Sequence, residues 1–282
     1  MSMLTVRYLI VDVFTDVPFA GNQLGVFTDA RALTGEQMLM LTRELGFSEC
    51  TFVLPPEQGG HARIRIFTPG RELPFAGHPV LGTAFALGAP LQAIELRLET
   101  GIGVVSVRLE REGAKIIFGR MDQPLPTVAP FDREAELLVA LGVERSELPV
   151  EVYDNGMLHV YVCLDSTEAV AALRPDMAAL EGLGDLGVNC FAGSGASWKT
   201  RMFDPADGIP EDPATGSAAG PLALHLARHG RIAFGEEIEI AQGAEIGRPS
   251  TLYARVDGSA GSVERVEVGG SAVIVAKGEF AL

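Results

Sequence analysis

Residues 67–87 read F-T-P-G-R-E-L-P-F-A-G-H-P-V-L-G-T-A-F-A-L, and much of this stretch returns at 203–226 as F-D-P-A-D-G-I-P-E-D-P-A-T-G-S-A-A-G-P-L-A-L-H-L. Phe67 and Pro69 match Phe203 and Pro205, and Pro74 and Pro210 each stand seven residues after the phenylalanine. After three added residues, Gly77, His78, Ala84 and Leu87 fall opposite Gly216, Ser217, Ala223 and Leu226. A weaker echo pairs residues 23–27 with 157–161. An internal repeat of this size predicts two similar lobes, each built around a helix that a glycine opens. Two such helix starts meeting in one cleft would form an anion site, because free N–H groups and helix dipoles converge there.

The local pattern agrees. Residues 62–68 alternate Ile64 and Ile66 against Arg63 and Arg65, as a strand does, and Pro69 and Gly70 break it. Pro79 suits a first helical turn, and the small apolar run 80–87 reads as a buried helix. Residues 6–14 read as a strand with Tyr8, Ile10, Asp12 and Phe14 on one face and Arg7, Leu9, Val11 and Val13 on the other. A turn at 19–22 leads to a second strand at 23–27. Residues 34–45 form a helix with Thr34 as N-cap and Gly46 as its stop. A strand at 47–54 carries Glu49, and 96–109 with 114–118 form a meander. Residues 123–126, Q-P-L-P, are a linker, dividing the chain into lobes 1–122 and 127–282; a strand near 272–276 is free to cross back to the first lobe. Asp154, Asn155 and Gly156 make a hairpin turn, and the second glycine-led helix runs over 216–228, ending at His229 and Gly230. The class is α+β.

Bulk properties narrow the function. A length of 282 residues suits two domains, and a net charge of −15 argues against nucleic-acid and anionic-membrane partners, which need basic patches. The N-terminus lacks the apolar core of a signal peptide, and no run reaches the length of a membrane span. Three cysteines, Cys50, Cys163 and Cys190, show neither a disulfide framework nor a zinc spacing, which fits a reduced cytoplasmic setting. P-loop, G-x-G-x-x-G, H-E-x-x-H and G-x-S-x-G motifs are absent. His225 and His229, four residues apart at the tail of a helix, read as partners of its dipole rather than metal ligands.

Three residues stand out for acid/base chemistry. Glu49 lies in the apolar strand F-S-E-C-T-F-V-L, where burial would favour its protonated form; a solvated strand face is the alternative. His78 opens a helix beside Gly77, as a proton relay or as a cap. Asp212 precedes Pro213 near the second helix start, where an aspartate can equally be a simple cap. Thr215 and Ser217 carry a weaker signal. The duplication raises all of them, since it sets His78 and Ser217 at equivalent places.

V-F-T-D-V-P-F-A-G-N at 13–22, F-S-E-C-T-F-V at 47–53, R-I-F-T-P-x-x-E-L-P-F-A-G-H-P at 65–79 and E-D-P-A-T-G-S-A at 211–218 together resemble the phenazine-biosynthesis isomerase family, the PhzF-like proteins. The resemblance covers essentially the whole chain. It implies a diaminopimelate-epimerase-like fold, two pseudo-symmetric lobes each with a β-sheet wrapped around a central helix, with the site in the cleft between them. It also implies isomerisation of trans-2,3-dihydro-3-hydroxyanthranilate, a small anionic substrate, by a proton shift from C3 to C1 without a cofactor or metal, in a homodimer. By motif match the catalytic residues are Glu49, His78 and Asp212, and Ser48, Gly77, Gly216 and Ser217 contact substrate. Racemases of this architecture use one cysteine at each helix start, and neither start here carries one, so two-thiol chemistry is not expected. A related isomerase acting on another small amino or hydroxy acid is the enzymatic alternative. A non-catalytic ligand-binding relative is the other, which the joint presence of Glu49, His78 and Asp212 opposes.

Overall fold

The computed structural model describes residues 4–282 and divides into two compact units. One holds the chain up to Asp122 together with Gly269–Leu282, and the other holds Gln123–Val268.

The first unit runs β1 (Thr5–Val13), β2 (Asn22–Phe27), α1 (Gly35–Leu45), β3 (Glu49–Leu54), β4 (Ala62–Phe67), the two-residue β5 (Glu72–Leu73), α2 (Gly77–Leu91), β6 (Glu95–Thr100), β7 (Gly103–Glu112) and β8 (Lys115–Gln123). β1 pairs antiparallel with β2, β2 parallel with β3, β3 antiparallel with β4, β4 parallel with β6, and β6 antiparallel with β7. The C-terminal strand, Ala272–Ala281, lies antiparallel along β1 from Thr5 to Val13. It therefore belongs with the first unit, the crossing back that the sequence leaves open for a strand near 272–276. β1 is hydrogen-bonded on both edges and carries a bulge between Ile10 and Val11. The expected two-face alternation fails there: Val11, Asp12, Val13 and Phe14 are all buried.

α2 packs on β1, β2, β3, β6, β7 and the C-terminal strand, so the sheet wraps the helix. It is buried on every side, as its small apolar sequence requires. Gly82 allows the close approach: a Cβ there would stand 2.7 Å from side-chain atoms of Leu24 and Val13. α1 begins at a capping box between Thr34 and Gln37 and ends on Gly46, whose φ of 68° favours glycine.

The second unit runs β9 (Thr127–Pro130), α3 (Glu134–Leu141), β10 (Glu151–Asp154), β11 (Leu158–Cys163), α4 (Thr167–Ala172), α5 (Met177–Glu181), β12 (Gly187–Ser194), β13 (Ser197–Asp204), β14 (Ile209–Asp212), α6 (Gly216–Arg228), β15 (Glu237–Gln242), β16 (Ser250–Ser259) and β17 (Ser262–Gly270). Its ladder repeats that of the first. β10 is antiparallel to β11, β11 parallel to β12, β12 antiparallel to β13, β13 parallel to β15, and β15 antiparallel to β16. α6 takes the place of α2, and β2 and β11 hold the weaker echo of the sequence repeat. The duplication read from the sequence is thus repeated strand by strand in the hydrogen bonding.

Candidate functional site

In the first unit, Glu49 is the first residue of β3, and His78 is the second residue of α2, directly after Gly77. Their side chains are 11% and 4% exposed, and Glu49 Oε2 lies 3.5 Å from His78 Nε2. Burial pushes the His78 imidazole down to about 3, a hydrogen bond with the Gln23 backbone opposing the shift. His78 is therefore neutral at ordinary pH, and its contact with Glu49 pairs a carboxyl group with a neutral ring rather than with a cation. Asn22, buried at the start of β2, joins the neighbours. Its Nδ2 is 3.2 Å from His78 Nδ1, and its Oδ1 accepts from the Ser48 hydroxyl at 3.2 Å. In the sequence Asn22 closes a turn and opens an apolar strand, an amide whose buried partners the local pattern does not name.

In the second unit, Asp212 ends β14, and Gly216 and Ser217 are the first two residues of α6. The Thr215 hydroxyl donates to Asp212 Oδ2 at 2.6 Å. Gln242, on β15, braces this turn: its Oε1 accepts from Thr215 N at 3.1 Å, and its Nε2 donates to the Asp212 carbonyl at 2.8 Å and to Thr215 Oγ1 at 3.0 Å. Neither Ala76 nor Thr215, the N-cap residues of α2 and α6, caps its helix with a side chain. Both helix starts can thus offer N–H groups to a ligand.

Pro221 lies inside α6, so the Ser217 carbonyl lacks its usual helical donor. Asn155 Nδ2 fills the gap at 2.8 Å, Tyr161 donates its hydroxyl to Ala218 O at 2.7 Å, and Gln123 Nε2 donates to Gly216 O at 2.7 Å. Asn155 and Gln123, read as turn and linker residues, are buried and hold the first turn of α6 in place.

His225 and His229 share Glu151 Oε2, at 3.3 and 2.9 Å, with the Arg228 guanidinium at 2.8 Å and the Tyr153 hydroxyl at 3.0 Å. Burial and the neighbouring His229 push His225 down to about 4, so it is not the cationic dipole partner expected from its position. Arg228 supplies the positive charge in that last turn. The guanidinium on the shared carboxylate oxygen makes this an ion-pair cluster.

The chain matches the phenazine biosynthesis-like protein family, PhzC-PhzF, over residues 11–278. It belongs to that family. It is 53% identical over 276 residues to the trans-2,3-dihydro-3-hydroxyanthranilate isomerase of Pseudomonas fluorescens, covering 98% of this chain and 99% of that one. Among solved structures, the PhzF-family phenazine biosynthesis protein of Bacillus anthracis superposes with a TM-score of 0.86 at 26% identity, covering 99% of this chain and all of that one. A hydroxyproline epimerase from Agrobacterium vitis superposes with a TM-score of 0.69 at 15% identity, covering 100% of this chain and 93% of that one, a likeness of fold alone. This PhzC-PhzF chain thus has the α+β, epimerase-like architecture that the family resemblance implied.

Proposed function

We propose that this protein isomerises trans-2,3-dihydro-3-hydroxyanthranilate by moving a proton from C3 to C1, with Glu49 as the acid/base group and no cofactor. The observation that carries the reading is the buried carboxyl of Glu49 set 3.5 Å from a neutral His78, within a chain 53% identical to an isomerase of that substrate. A buried carboxyl beside a neutral ring can take up and return a proton. His78 and Asp212 are the proposed partners of the substrate's hydroxyl and amino groups. Ser48, Gly77, Gly216 and Ser217 would contact substrate, with the helix-start N–H groups receiving its carboxylate. The two units correspond in this reading to the two lobes of the family. Purified protein should remove the diene absorbance of the substrate on incubation; an unchanged spectrum would contradict the assignment.

Gly216→Val tests the second helix start. The added side chain would crowd a bound carboxylate, and KM should rise about tenfold, the equivalent of one lost polar contact, with the thermal midpoint little changed. An unchanged KM in the folded variant would remove Gly216 from the binding site.

The protein is also read as a cytoplasmic homodimer. All three cysteines are free and buried, as a reducing compartment allows, and among the described residues no helix is long and apolar enough to cross a membrane. Light scattering at micromolar concentration should return twice the 29.9 kDa chain mass, whereas the single chain mass would refute the dimer.

A further inference from the structure

His159 is a buried titratable group for which the proposed reaction has no use. It lies on β11, 1% exposed, between Asn189 on β12 and Ser217 at the start of α6. The structure fits the ring closely. Gly187 pairs with His159 across the parallel ladder, and a Cβ on Gly187 would stand 2.8 Å from the ring's Nδ1.

The hydrogen bonds around it have a direction. Asn189 Nδ2 lies 3.1 Å from the Gly187 carbonyl and 3.5 Å from the Val160 carbonyl. Turning the amide over would aim its oxygen at those two carbonyl oxygens, so the nitrogen must face them. The same nitrogen is 3.4 Å from His159 Nδ1; one amide hydrogen serves the Gly187 carbonyl and the other is shared between the Val160 carbonyl and Nδ1, which is the acceptor because an amide nitrogen accepts no hydrogen bond. Burial keeps the ring neutral, pushing it down to about 3, so it carries one hydrogen, and that hydrogen is on Nε2. His159 Nε2 is 3.0 Å from Ser217 Oγ. The imidazole donates and the serine oxygen accepts, leaving the serine's own hydrogen to point elsewhere.

We propose that Asn189 and His159 are positioning residues that fix the Ser217 hydroxyl as a one-way hydrogen-bond donor to an oxygen-acceptor group of the substrate. The proposal rests on the reading that Ser217 touches substrate. The polarity is the reverse of a serine–histidine nucleophile pair, in which the ring must accept the serine proton. Ser217 in this arrangement recognises a carboxylate or hydroxyl oxygen beside the α6 N-terminus and does not attack it.

The imidazole nitrogen shifts of His159, read by long-range proton–nitrogen NMR on the full protein, give the tautomer without reference to activity. The expected result is Nε2–H in the parent protein; Nδ1–H would overturn the proposal. Asn189→Asp replaces the donor by an acceptor and should switch the ring to Nδ1–H, turning the Ser217 hydrogen back towards Nε2. With trans-2,3-dihydro-3-hydroxyanthranilate as substrate, KM should rise about tenfold in Asn189→Asp and in Ser217→Ala, with kcat little changed, and no further in the double variant. A parent-like KM in Asn189→Asp beside a raised KM in Ser217→Ala would overturn the relay. Should the buried aspartate prevent folding, His159→Gln keeps an N–H donor at Ser217 and His159→Leu removes it, so only the leucine variant should raise KM. Equal KM values in those two would count against it. If Ser217→Ala leaves KM unchanged, Ser217 does not touch substrate and the proposal falls; the isomerase reading is judged separately, by loss of the substrate's diene absorbance with the parent protein.

Discussion

Glu49→Gln should reduce turnover by about 10²–10⁴-fold while leaving substrate binding nearly intact, the range that a lost general acid/base group produces. The variant keeps the shape of a side chain that is 11% exposed and removes only the basic oxygen. The reaction shifts one proton between two carbons of one ring, so one group that removes it at C3 and returns it at C1 acts in both half-steps. Loss of that group should place the effect at the upper end of the range. His78→Ala and Asp212→Asn should cost less, because in the proposed reaction they orient the substrate and steady developing charge while Glu49 carries the proton. Turnover within about tenfold of the parent in Glu49→Gln would be below the whole range and would move the role to another residue, with His78 the first to examine.

Mild acid should destabilise this protein well above the ordinary carboxylate range. His78 and His159 are pushed down to about 3 and His225 to about 4, in each case chiefly by burial. A histidine whose folded value lies below its unfolded value of about 6.5 contributes stability that is complete above that value and is lost as pH falls through it, because the unfolded chain takes up the proton first. Asp204 acts in the opposite direction. Burial, and then the charge of Asp207, raise its carboxyl to about 7, so the folded state binds that proton more tightly and gains as pH falls. Between pH 7 and pH 5 the loss from the three histidines outweighs the gain from the single Asp204, leaving a net loss on the order of a few kcal/mol. Urea unfolding at the two pH values, with unchanged slope, measures this as a shift in midpoint. Equal midpoints would mean that the imidazoles are solvated in the folded state.

Local signals were legible in the sequence. Thr34 and Gly46 bracket α1 by capping chemistry that depends only on near neighbours. The glycine-led starts of α2 and α6 were marked by Gly77 and Pro79 and by Gly216, and the repeat between them reappears in the pairing of β2 with β3 and of β11 with β12. Long-range pairing was not legible. Nothing near residues 272–281 announces that they lie along β1, at the other end of the chain, and the bulge this pairing places in β1 cancels the period expected for a strand with one wet face. The supporting polar residues were missed for a related reason. Asn22, His159, Asn189 and Gln242 are buried, and their partners come from other elements. The available signal was a lone polar residue in or beside an apolar strand, where burial demands a partner that the local sequence cannot name.

The proton itself gives the most direct test of Glu49 as the single shuttle. Substrate carrying deuterium at C3, turned over in ordinary water under single-turnover conditions, should yield product with part of that deuterium at C1. A carboxyl group whose side chain is 11% exposed exchanges slowly with solvent compared with one that stands in water. Complete replacement by solvent hydrogen at C1 would contradict a single buried shuttle, and would require either two separate groups or a base open to water.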